Sequence, residues 1–224
     1  MADRIVLNTI SYHGHGAIEN IVPELTARGY KKAFVCSDPD LIKFGVTKKV
    51  TDLLDAANFA YAVYSEIKPN PTIANVQDGV AAFKAAEADC IVTIGGGSSM
   101  DTAKMIGKVL ANNAGRAEDL LGGYTALNVG TKVFSPVLLL STTAGTGSEV
   151  SWGLMCENMD NLKKTFSVHP GTYAILDPTY YTTLPKEITA TCGMDSLAHS
   201  LESLCNSVAM PHPLADMYCR EGIS

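Results

Sequence analysis

The sequence predicts an α/β fold: a parallel sheet with helices on both faces, followed by the start of an all-helical second domain. Three observations carry this. Short apolar runs alternate with amphipathic segments, as in helix-covered parallel sheets. A glycine turn joins one of the most apolar runs to a helix. From Lys186 onward the pattern is helical, apart from a break at Pro211-His212-Pro213.

In order, the strand-like runs are Ile5–Leu7, Ala33–Cys36, Ala60–Tyr64, Cys90–Ile94, Val133–Leu140 and Tyr173–Leu176. Helical spacing joins Ile18, Ile21, Val22 and Leu25 across Ala17–Ala27. It recurs in Val46–Ala57 through Val50, Leu53 and Leu54, and in Ile73–Ala86 through Val76, Val80 and Phe83. Gly29 suits the left-handed residue that closes a helix. Residues 112–132 lack periodicity and read as an irregular excursion. Pro178 and Pro185 punctuate a turn region, which sets a domain boundary near residue 185. The expected division is 1–185, a nucleotide-binding α/β domain, and 186–224, the beginning of a helical domain.

Composition narrows the function. The chain has 224 residues, 46% hydrophobic and 18% charged, an ordinary globular balance. A net charge of -6 without a basic run argues against nucleic-acid binding. No apolar run has membrane-spanning length, so no membrane partner is expected. The six cysteines form no CxxC pair, Cys36 and Cys90 sit inside apolar runs, and all are expected to be reduced thiols filling core positions. With Met1-Ala2-Asp3-Arg4 leading straight into a strand-like run, the expectation is no signal peptide and a cytoplasmic location.

Ile91–Ile94 is followed by Gly95-Gly96-Gly97-Ser98-Ser99 and then by a helix carrying Ala103, Ile106, Val109 and Leu110. Strand, glycine turn and helix start together suit a pyrophosphate. Glycines let the backbone approach, and the helix N-terminus offers free N–H groups and partial positive charge. Ser98 or Ser99 is expected to cap the helix, and Asp101 and Lys104 strengthen the ligand-binding interpretation over a plain turn. A second polar stretch, Ser141-Thr142-Thr143-Ala144-Gly145-Thr146-Gly147-Ser148-Glu149, follows another buried run. Hydroxyls there suit phosphate, ribose or nicotinamide, because ligands of open α/β sheets sit at strand carboxyl ends. Asp38 ends the second strand. It can accept from a ribose hydroxyl and repel a 2′-phosphate, favouring NAD over NADP; an Asx turn before Pro39 explains it nearly as well. Asp195 and His199, four apart, fall on one helix face and could form half of a metal site.

Gly95–Lys104, Thr142–Val150 and Gly193–Glu202 occur in the order and approximate spacing of the iron-containing alcohol dehydrogenases, and Pro69-Asn70-Pro71 also fits. The chain resembles the branch of lactaldehyde reductase and 1,3-propanediol dehydrogenase. The resemblance implies a Rossmann-like N-terminal domain and NAD-linked interconversion of a small alcohol with its aldehyde or ketone. It also implies a divalent metal, iron or sometimes zinc, and a homo-oligomer, dimeric or larger. It places Asp38, Asn70, Gly96, Gly97, Ser98, Thr142 and Thr143 at cofactor positions, with Lys163 or Lys164 (Lys164 preferred) near a further one. Asp195 and His199 become the first two metal ligands.

The family's two further histidine ligands lie downstream of residue 224, and roughly two-fifths of the usual length is missing. Two expectations follow: weak metal retention by this chain, and an unpartnered apolar face along Ile188, Met194, Leu197, Leu201 and Leu204. Thr165–Asp177 also looks a few residues short of the family pattern. His13, His15, His169 and His212 are read as structural or solvated. A catalytically inactive NAD-binding fragment is the alternative. Glycerol dehydrogenase or dehydroquinate synthase chemistry ranks last.

Overall fold

The structure, a computed structural model, describes residues 8–112, 137–151, 153–157, 173–206 and 213–224, and the backbone of 163–167. Its strands are β1 (Ile10–His13), β2 (Lys32–Cys36), β3 (Ala60–Tyr64), β4 (Cys90–Gly95), β5 (Val137–Ser141), β6 (Gly153–Glu157), β7 (Lys163–Ser167) and β8 (Tyr173–Leu176). Its helices are α1 (Ile21–Ala27), α2 (Pro39–Lys43), α3 (Lys48–Ala56), α4 (Ile73–Ala85), α5 (Gly97–Asn112), α6 (Lys186–Cys205) and α7 (Pro213–Ile223). Six strands form one sheet in the order β1-β8-β5-β4-β2-β3, every pair parallel. The β6–β7 pair is antiparallel and separate.

Period-two side chains divide the core into two layers. Phe34, Cys36, Ile91, Val137 and Leu139 pack on one face with Val76, Val80 and Phe83 of α4 and Met105 and Ile106 of α5. Ala33, Val35, Val92, Ile94, Leu138 and Leu140 pack on the other with Ile21 and Leu25 of α1 and Val50 and Leu54 of α3. Both faces being covered, the central strands are apolar apart from Lys32, Thr93 and Ser141, which made them visible in the sequence.

The chain reaches β3 through α3 on one face, then returns to β4 through α4 on the other. The order therefore reverses beside β2. A crevice opens between the carboxyl ends of β2 and β4, where doubly wound sheets take ligands.

Several expectations change. Ala17–Ala27 is not one helix: a 3₁₀ turn at Ala17–Asn20 precedes α1. Pro23 explains this, because its ring would collide with the Glu19 carbonyl in a continuous α-helix. β1, α2, β6 and β7 were not foreseen. Ile5–Leu7, Val133–Pro136 and the excursion at 113–132 lie outside the described residues, as do His169, Pro211 and His212. β5 starts at Val137, and α6 ends at Cys205, before the proline pair. No residue of α6 or α7 is buried, and Ile188, Met194 and Leu201 are exposed as anticipated. No helix among the described residues is long and apolar enough to cross a membrane.

Candidate active site

One cleft of about 460 Å³ lies between the start of α5 and the β6 strand. Gly97, Ser98 and Asp101 form one wall, and Leu154, Met155 and Cys156 another. Asn70, Asp195 and His199 complete its rim. The structure thus brings together the glycine loop and the Asp/His pair, which lie about a hundred positions apart in sequence.

The glycine turn is built for close approach. A Cβ on Gly95 would stand 2.4 Å from Ser99 Oγ and 2.6 Å from Ser99 Cβ. One on Gly97 would stand 2.8 Å from Thr146 Cγ2, whereas Gly96 has more room, 3.3 Å from Thr143 Oγ1. The Thr142 N–H donates to the Gly95 carbonyl at 3.1 Å and holds the two loops side by side. Helix α5 begins at Gly97, so Ser98 and Ser99 lie inside its first turn rather than capping it. Ser98 lines the cleft, and Ser99 is buried against Gly95. The sixteen-residue α5 directs its N-terminal N–H groups and partial positive charge to this end.

Asp38 caps a helix, as the Asx-turn alternative expects, and leaves its second oxygen near the glycine turn. Its Oδ1 accepts from the Leu41 N–H at 2.9 Å and caps α2. Its Oδ2 lies 3.6 Å from where a Gly95 Cβ would be, over the crevice. Asn70 is left-handed, φ 54°, a conformation asparagine tolerates. Its segment is fixed by the Glu157 N–H donating to the Pro71 carbonyl at 2.8 Å and by the Thr72–Glu157 bridge. Thr142 is buried, and the Thr143 carbonyl accepts from Ser141 Oγ at 2.8 Å. Lys163 and Lys164 pair along the backbone with Glu157 and Cys156; their side chains lie outside the described residues.

Asp101 and Lys104 do something the sequence did not suggest. The Lys104 side chain is 2% exposed. Its Nζ donates to the carbonyls of Ser148 and Gly153, both at 2.8 Å, and to that of Ser151 at 3.4 Å. Burial pulls its pKa down, while the charges of Asp101 and Glu149 oppose that shift. Asp101 accepts from Ser148 Oγ at 2.5 Å and from the Met155 N–H at 3.0 Å. Ser148 is therefore a donor to Asp101. Burial also raises the Glu149 pKa and pushes the Cys156 thiol up to about 12, so Cys156 lines the cleft as an inert thiol. The signal for these roles was thin. Ionisable residues at i and i+3 in a helix between buried Met100, Ala103, Met105 and Ile106 are the pattern of a buried pair, but their partners come from a distant turn and strand.

His199 Nε2 lies 3.8 Å from Asp195 Oδ1 on the exposed surface of α6. A carboxylate and an imidazole facing one cleft fit a divalent cation as two of its ligands. No group of three His, Cys, Asp or Glu able to hold a metal occurs among the described residues. The polar loop packs under α6: a Cβ on Gly145 would stand 3.0 Å from the Cys192 carbonyl oxygen.

The sheet reverses beside β2, the glycine turn follows β4, and the Asp195–His199 pair lies across the cleft from it. The chain belongs to the iron-containing alcohol dehydrogenase family, whose sequence profile matches residues 8–178. It is 36% identical to lactaldehyde reductase of Escherichia coli (strain K12) over 205 residues, 90% of this chain and 53% of that protein. It is equally identical to NAD-dependent methanol dehydrogenase of Bacillus methanolicus over 202 residues, 88% of this chain and 51% of that protein. Its fold superposes on 1,3-propanediol oxidoreductase with a TM-score of 0.83 at 29% identity, covering 98% of this chain and 56% of that one. The chain spans about half the length of the curated relatives it matches.

Proposed function

We propose that this chain is part of an oxidoreductase that interconverts a small alcohol and its aldehyde or ketone, with NAD(H) as hydride carrier. The observation that carries this is the single cleft holding Gly97 and Ser98 at one end and Asp195 and His199 at another. We take residues 1–185 as the dinucleotide-binding domain and 186–224 as the beginning of the metal-binding one. Asp38, Asn70, Gly96, Gly97, Ser98, Thr142, Thr143 and Lys164 are the proposed NAD contacts. Asp195 and His199 are the proposed metal ligands, for iron in keeping with the family's name. The zinc alternative gains no support. A homo-oligomer and a cytoplasmic location accord with the family and with six free thiols.

Each residue then has a physical task. The N–H groups at the start of α5 hold the pyrophosphate, and Gly96 leaves room for it. Asp38 accepts from an adenosine ribose hydroxyl. The β6 wall covers the reacting end and limits water. A divalent cation, when bound, supplies Lewis acidity toward the substrate oxygen, and NAD supplies the hydride acceptor.

The test is NADH oxidation with lactaldehyde, 3-hydroxypropanal and butanal after anaerobic Fe(II) loading. Turnover that a chelator abolishes, and that His199→Ala removes, supports the proposal. NADH binding without turnover favours the inactive NAD-binding alternative for this chain, for which the two-donor count among the described residues speaks.

Asp38→Asn isolates the charge, because asparagine caps a helix about as well as aspartate. The NADPH-to-NADH affinity ratio is expected to rise about ten-fold with little change in melting temperature. A ratio left unchanged in fluorescence titrations would remove Asp38 from the cofactor site.

A further inference from the structure

The cleft has two walls on separate parts of the chain: the first turns of α5, and the Ser148–Ser151 turn with β6. Every hydrogen bond described above for the Asp101 and Lys104 side chains runs from one wall to the other. Asp101 Oδ2 takes the Met155 N–H at 3.0 Å, while Oδ1 takes Ser148 Oγ at 2.5 Å. Lys104 Nζ gathers the carbonyls of Ser148 and Gly153 at 2.8 Å, with Ser151 further off at 3.4 Å. Asp101 and Lys104 are themselves 3.6 Å apart. Met155 N–H is on β6, whose edge faces the α5 wall; β6 pairs with β7 and, at Glu157, donates to the Pro71 carbonyl.

We infer that Asp101 and Lys104 are positioning residues that clamp the β6 wall to the start of α5, so that seating a pyrophosphate on Gly96–Ser98 also sets the wall at the reacting end of the cleft. The inference rests on the NAD reading proposed above. Charge-assisted contacts to backbone groups fix position more firmly than neutral ones. A lysine holding several carbonyls leaves little freedom to the turn that carries them. Gly97 and Ser98 lie within four residues of Asp101 on the same helix, so a displacement at the phosphate end is transmitted through rigid backbone. Neither side chain needs to touch the cofactor for this. Asp101 lines the cleft, but its two oxygens are engaged by the opposite wall.

Hydride transfer needs the nicotinamide near Asp195 and His199, and the adenosine half belongs at the Asp38–Gly95 crevice. ADP-ribose lacks the nicotinamide, so it reads the crevice and loop without the reacting end. The experiment measures NADH and ADP-ribose affinity by calorimetry for the whole 224-residue chain and for Asp101→Ala. Asp101→Asn serves as the milder second variant. Hydrogen exchange of residues 153–157 is followed with and without NADH.

NADH affinity should fall about ten-fold in Asp101→Ala, within the range found for coupled contacts, while ADP-ribose affinity stays within about two-fold. NADH should slow exchange at 153–157 in the wild type and fail to do so in the variant. A parallel fall in both affinities, or no fall in either, overturns the proposal: a structural role alone would not separate the two ligands. If the wild type binds neither ligand, the NAD reading fails. Ligand-free exchange then decides the clamp, which is upheld by faster exchange at 153–157 in both variants with β4 unchanged and overturned by equal rates.

Discussion

Gly95→Ala should abolish measurable NADH binding and lower stability by about 1–3 kcal/mol, the range for overfilling a packed site. The cause is space, not backbone conformation. The added Cβ would stand 2.6 Å from Ser99 Cβ, and that atom is fixed to the first turn of α5. No rotamer of Ser99 can relieve it. The start of α5 must move away from β4 and carry Gly96, Gly97 and Ser98 with it, so the N–H groups leave the positions that a pyrophosphate needs. Ser99→Gly in the same chain removes the obstructing atoms. The double variant should regain NADH binding, less about 1 kcal/mol of stability for glycine within a helix. Fluorescence titration and thermal melts read both. Wild-type affinity in Gly95→Ala, or no rescue in the double variant, would refute the close-approach account.

Lys104→Met is expected to cost about 3–5 kcal/mol, as when one member of a buried charge pair is removed. Methionine fills much the same volume, so the loss is polar. The carbonyls of Ser148 and Gly153 lose a donor at 2.8 Å in a site that water does not reach, and Asp101 loses its countercharge. For a domain of this size the melting temperature should drop by about 10 °C. Calorimetry of the ligand-free chain measures it. An unchanged melting temperature would mean that the ammonium is not caged as described. Because α5 carries both Lys104 and the glycine turn, NADH should restore part of the lost stability in proportion to its residual affinity.

Some of the fold was legible because each layer carries its own period. β2, β4 and β5 are buried on both faces and read as nearly continuous apolar runs; α3 and α4 show one apolar stripe each. β6 and β7 were missed because a five-residue strand without strict alternation resembles a loop, and their pairing is decided across the chain. The antiparallel partner of Met155 is Thr165. β1 was missed for a related reason: Ile10-Ser-Tyr-His is too short and polar to stand out, and only β8 makes it a strand.

The candidate site divides the same way. The glycine turn, the polar loop and the Asp195–His199 spacing are local patterns that backbone sterics and helix geometry make readable. Asp38 was ambiguous because one oxygen caps α2 locally while the other lies beside Gly95 of a neighbouring strand. Lys104 counted in the sequence only as support for ligand binding at the glycine turn, and its depth in the fold turns it inward onto backbone carbonyls. The sequence by itself determined the fold class, the sheet's apolar strands and the motifs, since these follow from periodicity and from what glycine and adjacent helical turns permit. Only the tertiary structure decided that the glycine turn and the Asp/His pair share one cleft and that Asp101 and Lys104 tie its walls together. Those depend on contacts between distant segments, whose pairing no local pattern encodes.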